Sequence, residues 1–399
     1  MPAQGRRGLT HSTTKSFDVA VAGGGVIGLA VAWRAAQAGA DVVVLDERRD
    51  GAAWPVSAGM LAPVAEAEFG HDELLALGLA SAQRWPAFAD ELAAVSGRDP
   101  GYRRCGTLVV ARDRDEAEAL ERELDYRTQR ELPVQRLLPT EARRREPALG
   151  TRVRLALDVP GDHAVDPRAL RAALAEALRR EGGELREGEP VEDLHQLRAL
   201  GARAVVATGA WAGALAGVPI RPVKGQILRL RDPAGPGLLD RVVRLAESYV
   251  VPRGDGRYVL GATVEERGFD VALTAGGVFE LLRDAYEVVP GLAELELEEA
   301  SVGLRPGTPD NGPLLGPGPD DDVVLAAGHY RNGILLTPIT ADAVAAMLRG
   351  EAPPDVVSPF NPDRFSPDAR RPTPDARRPE ARRLTPDARG PAPHTLVHA

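Results

Sequence analysis

Three glycines near the amino terminus have the spacing of a phosphate-binding turn. Gly23, Gly25 and Gly28 form the pattern G-x-G-x-x-G directly after an apolar run, FDVAVA at 17–22. Gly23 permits a tight turn, Gly25 lets the backbone approach a pyrophosphate, and Gly28 lets a helix pack against the strand. The start of that helix would offer free N–H groups and the positive end of its dipole to the phosphates. These residues predict a dinucleotide-binding site.

An acidic residue follows at the distance that this chemistry needs. Residues 29–39 have helical spacing and stop at Gly39, and DVVVLD at 41–46 reads as a second strand that ends in Asp46. A carboxylate at that strand end can accept a hydrogen bond from a ribose hydroxyl. The whole unit is strand, glycine turn, helix, strand and acid, and it fits either NAD or FAD.

The loop after the second strand favours the larger cofactor. Residues 48–63 (RRDGAAWPVSAGMLAP) are rich in small side chains and do not form the third parallel strand of a plain NAD-binding domain. Small residues suit a loop that wraps closely around a cofactor, and Ser57-Ala58-Gly59-Met60 would let the chain run along a flavin ring. An ordinary surface loop is the alternative interpretation.

Composition excludes several other kinds of chemistry. The chain has one cysteine, Cys105, which excludes an internal disulfide framework and a multi-thiolate metal site. No pair among the seven histidines has metal-ligand spacing, so we expect no metal. The formal net charge of −9 argues against nucleic acid and against anionic membrane surfaces as partners. No apolar run approaches the length of a membrane span.

The remaining elements must bring these residues together. Helical patterns occupy 71–97, 113–131, 140–145, the stretch that begins at Asp166-Pro167, and 277–289, and strands occupy 106–111 and much of 202–310. A last core strand at 323–328 precedes a helix that begins near Ile334. Because the opening motif is separated from this closing strand by about 270 residues, the sequence predicts a discontinuous cofactor domain. The strands after residue 220 predict an antiparallel insert that covers the cofactor.

Both ends of the chain differ from the rest in composition. Residues 1–16 are polar, and although Arg6-Arg7 is a twin-arginine pair, no apolar segment follows it, so we expect a disordered leader and a cytoplasmic protein. Residues 351–399 are rich in proline and arginine, with PDAR at 367–370, 374–377 and 386–389. Such a segment has little apolar surface to bury, so we expect a disordered tail.

Five segments together carry a family resemblance. They are VAGGGVIGLAVAW, SAGMLAP, SYVVPRGDGRYVLGATVEERGFD, GLRPGTPDNGPLLG and AAGHYRNGILLTP. In these segments the chain resembles the glycine oxidases of thiamine biosynthesis, which belong to the D-amino-acid oxidase/sarcosine oxidase (DAO) family of FAD enzymes. The likeness extends from about residue 17 to 350, and GLRPGTPD and GHYRNGILL are far more specific than the glycine pattern.

The resemblance implies a fold, a cofactor and a reaction. The fold would be α/β, with a discontinuous Rossmann-like FAD-binding domain and an antiparallel-sheet substrate domain. FAD would take a hydride equivalent from the α-carbon of glycine, and dioxygen would be reduced to hydrogen peroxide. The iminoglycine would feed the thiazole ring or hydrolyse to glyoxylate and ammonia. No general base is needed, because the amine need only lose its proton before hydride transfer.

Three side chains match the substrate-binding residues of the family. Arg305 in GLRPGT matches the arginine that binds the substrate carboxylate, a role that suits its planar fork. Arg331 in HYRNG matches a second arginine on the substrate side, and Tyr249 in SYVVPR matches the active-site tyrosine. The alternatives are a surface arginine at a strand end, a structural ion pair and a cross-strand packing tyrosine, respectively.

The family also assigns a set of residues to FAD. These are Gly23, Gly25, Val26, Ile27, Gly28, Asp46, Glu47, Ala58, Gly59, Met60, Val191, His329, Tyr330, Arg331, Asn332, Gly333, Ile334 and Leu335. Cys105 lies far from the last helix, so the resemblance implies non-covalent FAD. Ala53 and Trp54 stand where relatives usually carry a serine or threonine, which removes one hydroxyl contact to the cofactor.

Domains and partners complete the prediction. The FAD-binding domain is expected at 17–75, 150–220 and 320–350, and the substrate domain at 76–149 and 221–319. The partners would be glycine or another small amino acid, dioxygen, thiazole synthase and other copies of the chain, with a tetramer favoured. A sarcosine or D-amino-acid oxidase or dehydrogenase of the same fold is the first alternative. A flavin-binding protein without turnover is the alternative from another class.

Overall fold

The computed structural model describes residues 17–366 of the chain. The predicted leader, 1–16, and residues 367–399 of the predicted tail lie outside this range. The α-helices of the described part are α1 Val26–Gln37, α2 Asp72–Ser96, α3 Arg114–Gln129, α4 Pro139–Arg145, α5 Pro167–Arg180, α6 Leu194–Leu200, α7 Ala212–Ala216, α8 Ala275–Val288 and α9 Thr337–Leu348. The strands are β1 Phe17–Ala22, β2 Val42–Asp46, β3 Met60–Leu61, β4 Thr107–Ala111, β5 Gln135–Leu137, β6 Leu155–Val159, β7 His163–Ala164, β8 Glu184–Glu187, β9 Gly201–Val206, β10 Arg221–Arg231, β11 Val242–Arg244, β12 Tyr249–Pro252, β13 Arg257–Gly261, β14 Glu296–Gly307, β15 Leu314–Pro317 and β16 Val323–Ala327.

A six-stranded sheet carries the opening glycine motif. Its order is β15-β16-β9-β1-β2-β8, and every pair is parallel except β15–β16. The inner strands are apolar along almost their whole length because parallel sheets are covered on both faces. One neighbour of β1 in this sheet is β9, which lies about 180 residues further along the chain. The sheet is therefore built from separate segments of the chain, as predicted for a discontinuous domain.

Four helices form the main core together with this sheet. Helices α1, α2, α5 and α9 pack against one another, and their apolar side chains join those of β1, β2 and β9 in one cluster. Trp33 of α1 lies fully buried at its centre and meets Phe88 of α2 edge to face, with ring centroids 5.5 Å apart. This cluster fixes the direction of α1, and therefore the position at which its amino terminus meets the glycine turn.

An eight-stranded sheet forms the second layer. Its order is β14-β10-β13-β12-β11-β4-β6-β5, and its pairs are antiparallel except for β11 with β4. Strand β14 lies at one end of this order and pairs with β10, with Val223 opposite Arg305. Tyr249 begins β12 and Arg305 lies near the end of β14. Because the pairings make these two strands antiparallel to each other, both residues lie at the same end of the sheet, where they line one cavity.

Three segments lie with the other layer than the one predicted. Helix α2 was expected in the substrate domain, but its buried face, which includes Leu77, Trp85 and Leu92, packs on α5 and α9. Strand β6 was expected in the FAD-binding domain but pairs with β4 and β5, and β15 pairs with β16 in the first sheet. Each of these segments lies with the helix or strand that covers its apolar surface. That helix or strand cannot be recognised from the sequence around the segment itself.

The first part of the predicted disordered tail is ordered. Residues 355–360 and 362–365 form short 3₁₀ helices. Val357 and Phe360 are buried in the main core cluster, and Arg364 forms an ion pair with Asp310 at 2.8 Å. Two apolar side chains and one arginine therefore anchor this segment, although its composition resembles that of residues 367–399.

Residues 17–366 contain neither a candidate membrane span nor a candidate metal cluster. None of the helices in this range combines the length and the apolar character that a membrane crossing needs. The same range contains no group of three or more histidine, cysteine, aspartate or glutamate residues placed to hold a metal ion.

Candidate active site

The glycine turn is as tight as its sequence predicts. Gly23 has φ +103°, and a Cβ added there would lie 2.4 Å from the carbonyl oxygen of Ala207. A Cβ on Gly28 would lie 1.9 Å from the carbonyl oxygen of Gly23, so Gly28 lets α1 pack under the turn and does not face the cavity. Gly25 differs from both, since its Cβ would meet only Trp54, at 3.4 Å. The backbone at Gly25 is therefore open to a ligand, and no side chain caps the start of α1.

Asp46 is held in place by an arginine that the sequence did not single out. Nη2 of Arg171 donates to Oδ2 of Asp46 at 3.0 Å and to Glu187 at 2.8 Å. Nε of the same arginine donates to the carbonyl oxygen of Gly24 at 3.0 Å. Arg171 lies on α5 and is almost fully buried. It ties the end of β2 to the glycine turn, so the carboxylate and the phosphate-binding backbone keep a fixed separation.

The small-residue loop lines the cavity next to this turn. Gly59 has φ +79°, and a Cβ there would lie 2.0 Å from the carbonyl oxygen of Val165. The carbonyl oxygen of Pro55 accepts from Nε of Arg168 at 3.0 Å and from Nη2 of Arg229 at 2.6 Å. These contacts hold the loop against α5 and β10.

Arg305 and Tyr249 meet in the second sheet. Nη1 of Arg305 donates to the carbonyl oxygens of Thr263 at 3.1 Å and Lys224 at 3.3 Å, which leaves other guanidinium donors for a ligand. Tyr249 and Arg305 line the same cavity and interact electrostatically. Burial lowers the pKa of Arg305 and raises the pKa of Tyr249. An arginine side chain stays charged in proteins, and the raised pKa of Tyr249 keeps its phenol neutral at neutral pH, so the two groups suit a carboxylate.

The segment after β16 closes the site from the first sheet. The backbone N–H of Tyr330 donates to the carbonyl oxygen of Pro306 at 3.0 Å, which joins the end of β16 to β14. His329 is buried, with Nε2 3.1 Å from Oγ1 of Thr340, and burial lowers its pKa to about 3. Its imidazole is neutral at ordinary pH. Arg331 extends to the cavity beside Arg305.

Almost all of the predicted site residues line a single cavity of about 370 Å³, within the usual range of ligand pockets. They are Gly23, Gly25, Val26, Ile27, Asp46, Glu47, Ala58, Gly59, Met60, Val191, Tyr249, Arg305, His329, Tyr330, Arg331, Gly333 and Ile334.

The positions of three predicted residues differ from this set. Gly28 lies beneath the turn, as described above. Asn332 and Leu335 line a smaller neighbouring cavity, because the chain turns away from the first cavity before α9 begins. The carbonyl oxygen of Leu335 accepts from Oγ of Ser81 at 2.7 Å and from Nε1 of Trp85 at 2.9 Å, so it is committed to α2.

Comparison with known proteins identifies the family. The family model described as DAO, FAD dependent oxidoreductase, matches residues 18–347. The chain belongs to the DAO family. The resemblance and the fold class predicted from the sequence are thereby confirmed, and so is FAD as the cofactor.

Among its relatives in the DAO family, two types are prominent. The bifunctional protein ThiO/ThiG of Synechocystis sp. is 36% identical over 87% of this chain. This chain spans only 54% of that relative's length. The glycine oxidase of Geobacillus kaustophilus is also 36% identical, with 87% of this chain and 97% of the relative covered. The crystal structure of the glycine oxidase from the same organism superimposes with a TM-score of 0.81 at 34% identity, and covers 87% of this chain and 98% of the other.

The DAO-family cofactor fits the residues that line the cavity. The open backbone at Gly25 and the uncapped start of α1 would hold the pyrophosphate, and Asp46 would hold the ribose. Two buried hydroxyl oxygens in the cavity wall, Thr208 Oγ1 and Ser248 Oγ, have no hydrogen-bond partner within residues 17–366. Buried hydroxyls normally find a partner, so both are available to a polar ligand.

The place of the missing hydroxyl contact is taken by an aromatic ring. Trp54 lines the cavity, and the guanidinium of Arg171 lies 4.8 Å from the centre of its indole ring. A tryptophan there adds apolar surface beside the glycine turn. The resemblance predicted the loss of the hydroxyl, but only the structure gives the stacking with Arg171.

Several charged residues of the cavity wall were not predicted from the sequence, and Glu66 and Arg244 are two of them. Glu66 lies just beyond β3, and Arg244 ends β11; both line the cavity together with Arg305. Glu66 follows SAGMLAP by only three residues, so its position close to the cofactor loop could have been predicted from the sequence. Arg244 has no such indication, because its position depends on the pairing of β11 with β12.

The turn at 62–67, which carries Glu66, is held from two sides. The carboxylate of Asp162 accepts from the backbone N–H groups of Ala65 at 2.6 Å and Val64 at 3.3 Å. The guanidinium of Arg127 donates to the carbonyl oxygens of the same two residues, each at 2.8 Å. Asp162 and Arg127 are both buried. We call this arrangement the Asp162–Arg127 clamp.

The clamp gives a testable dependence of stability on pH. Burial raises the pKa of Asp162 from 3.8 to about 7. Between these values the folded protein keeps a proton that the unfolded chain has released, so the contribution of Asp162 to the free energy of unfolding falls as the pH rises. Across this pH range the contribution of Asp162 to the free energy of unfolding falls by about 4 kcal/mol in total. Urea unfolding at several pH values from 4 to 7.5 should show the wild type losing stability relative to Asp162→Asn as the pH rises. Parallel curves for the two proteins would contradict this prediction.

Proposed function

We propose that the chain is an FAD-dependent glycine oxidase that supplies the imine for thiazole formation in thiamine biosynthesis. The observation that carries the proposal is that Arg305 and Tyr249 line the same cavity as the glycine turn and the cofactor loop. A guanidinium beside a phenol hydroxyl suits a small carboxylate. A flavin-binding protein without turnover would have no use for that pair.

The protein residues bind and orient the substrate. Arg305 is fixed by the carbonyl oxygens of Lys224 and Thr263, so it offers its free donors in one direction. Tyr249 can donate to the same carboxylate, and Arg331 adds a second positive charge on the side of the first sheet. When FAD is bound, it supplies a two-electron acceptor, and dioxygen is the final oxidant. Positioning the α-carbon is therefore the main task of these side chains.

The pathway role follows from relatives of two kinds. One relative is named for glycine oxidation, and another joins ThiO to ThiG in a single polypeptide. We therefore propose a thiazole synthase as the functional partner and a cytoplasmic setting, where the imine can be used before it hydrolyses. We also propose that the enzyme forms a homo-oligomer.

The visible spectrum of the purified protein tests the proposed activity. The flavin is expected to be bleached by glycine under anaerobic conditions, and more slowly by sarcosine and D-alanine. Admission of air should restore the oxidised spectrum and release hydrogen peroxide. Sarcosine and D-alanine serve as matched controls, since both are small amino acids that keep the carboxylate.

Each other outcome has a distinct meaning. Bleaching by sarcosine or D-alanine but not by glycine would replace the proposal with the corresponding oxidase or dehydrogenase. A bound flavin that no amino acid bleaches would leave a binding protein without turnover. Bleaching that air does not reverse would point to a dehydrogenase with another electron acceptor.

A further inference from the structure

We propose that Glu66 binds the ammonium group of the substrate, and so selects amino acids over other small carboxylates. The assignment rests on the proposed oxidation of a small amino acid. Glu66 lines the cavity together with Arg305 and Tyr249, so it shares the space in which the substrate would lie. Within residues 17–366 its carboxylate accepts no hydrogen bond and has no cation within 4 Å.

The charges around Glu66 match the two ends of a zwitterion. Arg244, Arg305 and Arg331 act on Glu66 electrostatically, and Glu66 acts in turn on Tyr249. If Arg305 and Tyr249 hold the carboxylate of an amino acid, its ammonium group needs an acceptor within the same small volume. The Glu66 carboxylate is close enough to Arg305 for an electrostatic interaction, but the two side chains do not form an ion pair.

The other acids of the cavity wall are less suited to this role. Asp46 and Glu47 end β2 and Glu192 adjoins Val191, so these three lie at the nucleotide end. Glu247 is exposed to solvent. Glu66 lines the same cavity, and its burial there raises the pKa of its carboxyl, so an ammonium partner would stabilise the carboxylate.

The Asp162–Arg127 clamp makes this acceptor rigid. Both backbone N–H groups and both carbonyl groups of Val64 and Ala65 are taken by buried charged side chains. Glu66 follows directly, so its backbone is fixed before any ligand enters. A preorganised acceptor binds without the cost of ordering a loop.

A role for Glu66 that is limited to balancing the positive charge of the nearby arginines leads to a different prediction. If Glu66 only balanced the three arginines, its loss would change the binding of every carboxylate by a similar factor. If it binds the ammonium group, its loss should weaken amino acids alone. Acetate has the carboxylate of glycine without the amine, so the pair separates the two explanations.

The experiment compares glycine with acetate on Glu66→Gln. Acetate binding is read from the shift of the flavin absorption spectrum, and glycine binding from the concentration dependence of anaerobic flavin reduction. We expect the apparent Kd of glycine to rise about 10- to 100-fold, the range for a hydrogen bond to a charged group. The Kd of acetate should stay within about twofold of the wild type or become tighter. Glu68→Gln, which removes a nearby exposed carboxylate, should change neither value.

The outcomes separate this assignment from the proposed activity. A wild-type flavin that no amino acid reduces would overturn both together. A wild-type enzyme reduced by glycine, with a glycine Kd unchanged in Glu66→Gln, would overturn the role of Glu66 alone. Equal weakening of glycine and acetate would assign Glu66 to the support of the arginines. Should Glu66→Gln fail to retain FAD, Glu66→Asp keeps the charge but shortens its reach, and the same difference between glycine and acetate is expected.

Discussion

Replacement of Arg305 by methionine is expected to lower kcat/KM for glycine by roughly two to three orders of magnitude. The substrate carboxylate would lose its charged partner in a poorly solvated cavity, and loss of one member of such a pair costs about 2 to 5 kcal/mol. Steady-state oxygen consumption measures the effect. Arg305→Lys keeps the charge but not the fork of donors, so its activity should lie between those of the other two proteins.

Two controls make the Arg305 result interpretable. Arg305 also donates to the carbonyl oxygens of Lys224 and Thr263, so FAD content and thermal stability must be measured for each variant. Arg114, which is 89% exposed on α3, provides a matched arginine-to-methionine change away from the cavity. An Arg305→Met enzyme that keeps its FAD and its wild-type kcat/KM would remove Arg305 from the substrate site.

Gly25→Val is expected to give a folded protein that is colourless when purified. The backbone at Gly25 has φ −74° and ψ −178°, which any residue adopts, and an added Cβ meets only Trp54 at 3.4 Å. The valine side chain would fill the space through which the pyrophosphate approaches. Overpacking of this kind costs about 1 to 3 kcal/mol, so FAD affinity should fall about 10- to 100-fold. Titration of the apoprotein with FAD measures the loss, and circular dichroism checks the fold.

Two further glycines serve as comparisons for Gly25. Gly28→Ala places a Cβ 1.9 Å from the carbonyl oxygen of Gly23, so it should destabilise the fold itself. Gly276→Ala places a Cβ in open space at the start of α8, so it should leave FAD affinity unchanged. If Gly25→Val binds FAD as tightly as Gly276→Ala does, the glycine turn does not contact the phosphates.

The parts of the site that could be predicted from sequence are those made by neighbouring residues. The glycine turn, α1 and Asp46 form one continuous unit, in which spacing alone determines geometry. Tyr249 and Arg305 were found through family resemblance, because nothing in the residues around them shows that β12 and β14 face one cavity. Ordinary strand patterning fits both positions equally well.

The parts that escaped prediction depend on contacts between distant segments. Arg171 reaches Asp46 from α5, and the clamp on Glu66 joins a turn to residues about 60 and 100 positions further along. The ordering of 355–360 has the same origin, since Val357 and Phe360 need the apolar surface of α2. Burial of only two side chains against a distant apolar surface is therefore enough to order a short segment whose composition is mostly polar.

The order of strands in the first sheet has a consequence for protein synthesis. Strand β1 pairs on one side with β2, but its other neighbour, β9, is made about 180 residues later. At about 5 to 20 residues per second, one edge of β1 waits roughly 10 to 35 seconds on the ribosome for its partner. During that time the nascent chain presents an apolar strand edge of the kind that pairs with other chains. Chaperone occupancy of ribosome-bound chains should therefore be greatest before residue 206 emerges, and should drop once β9 can enter the sheet.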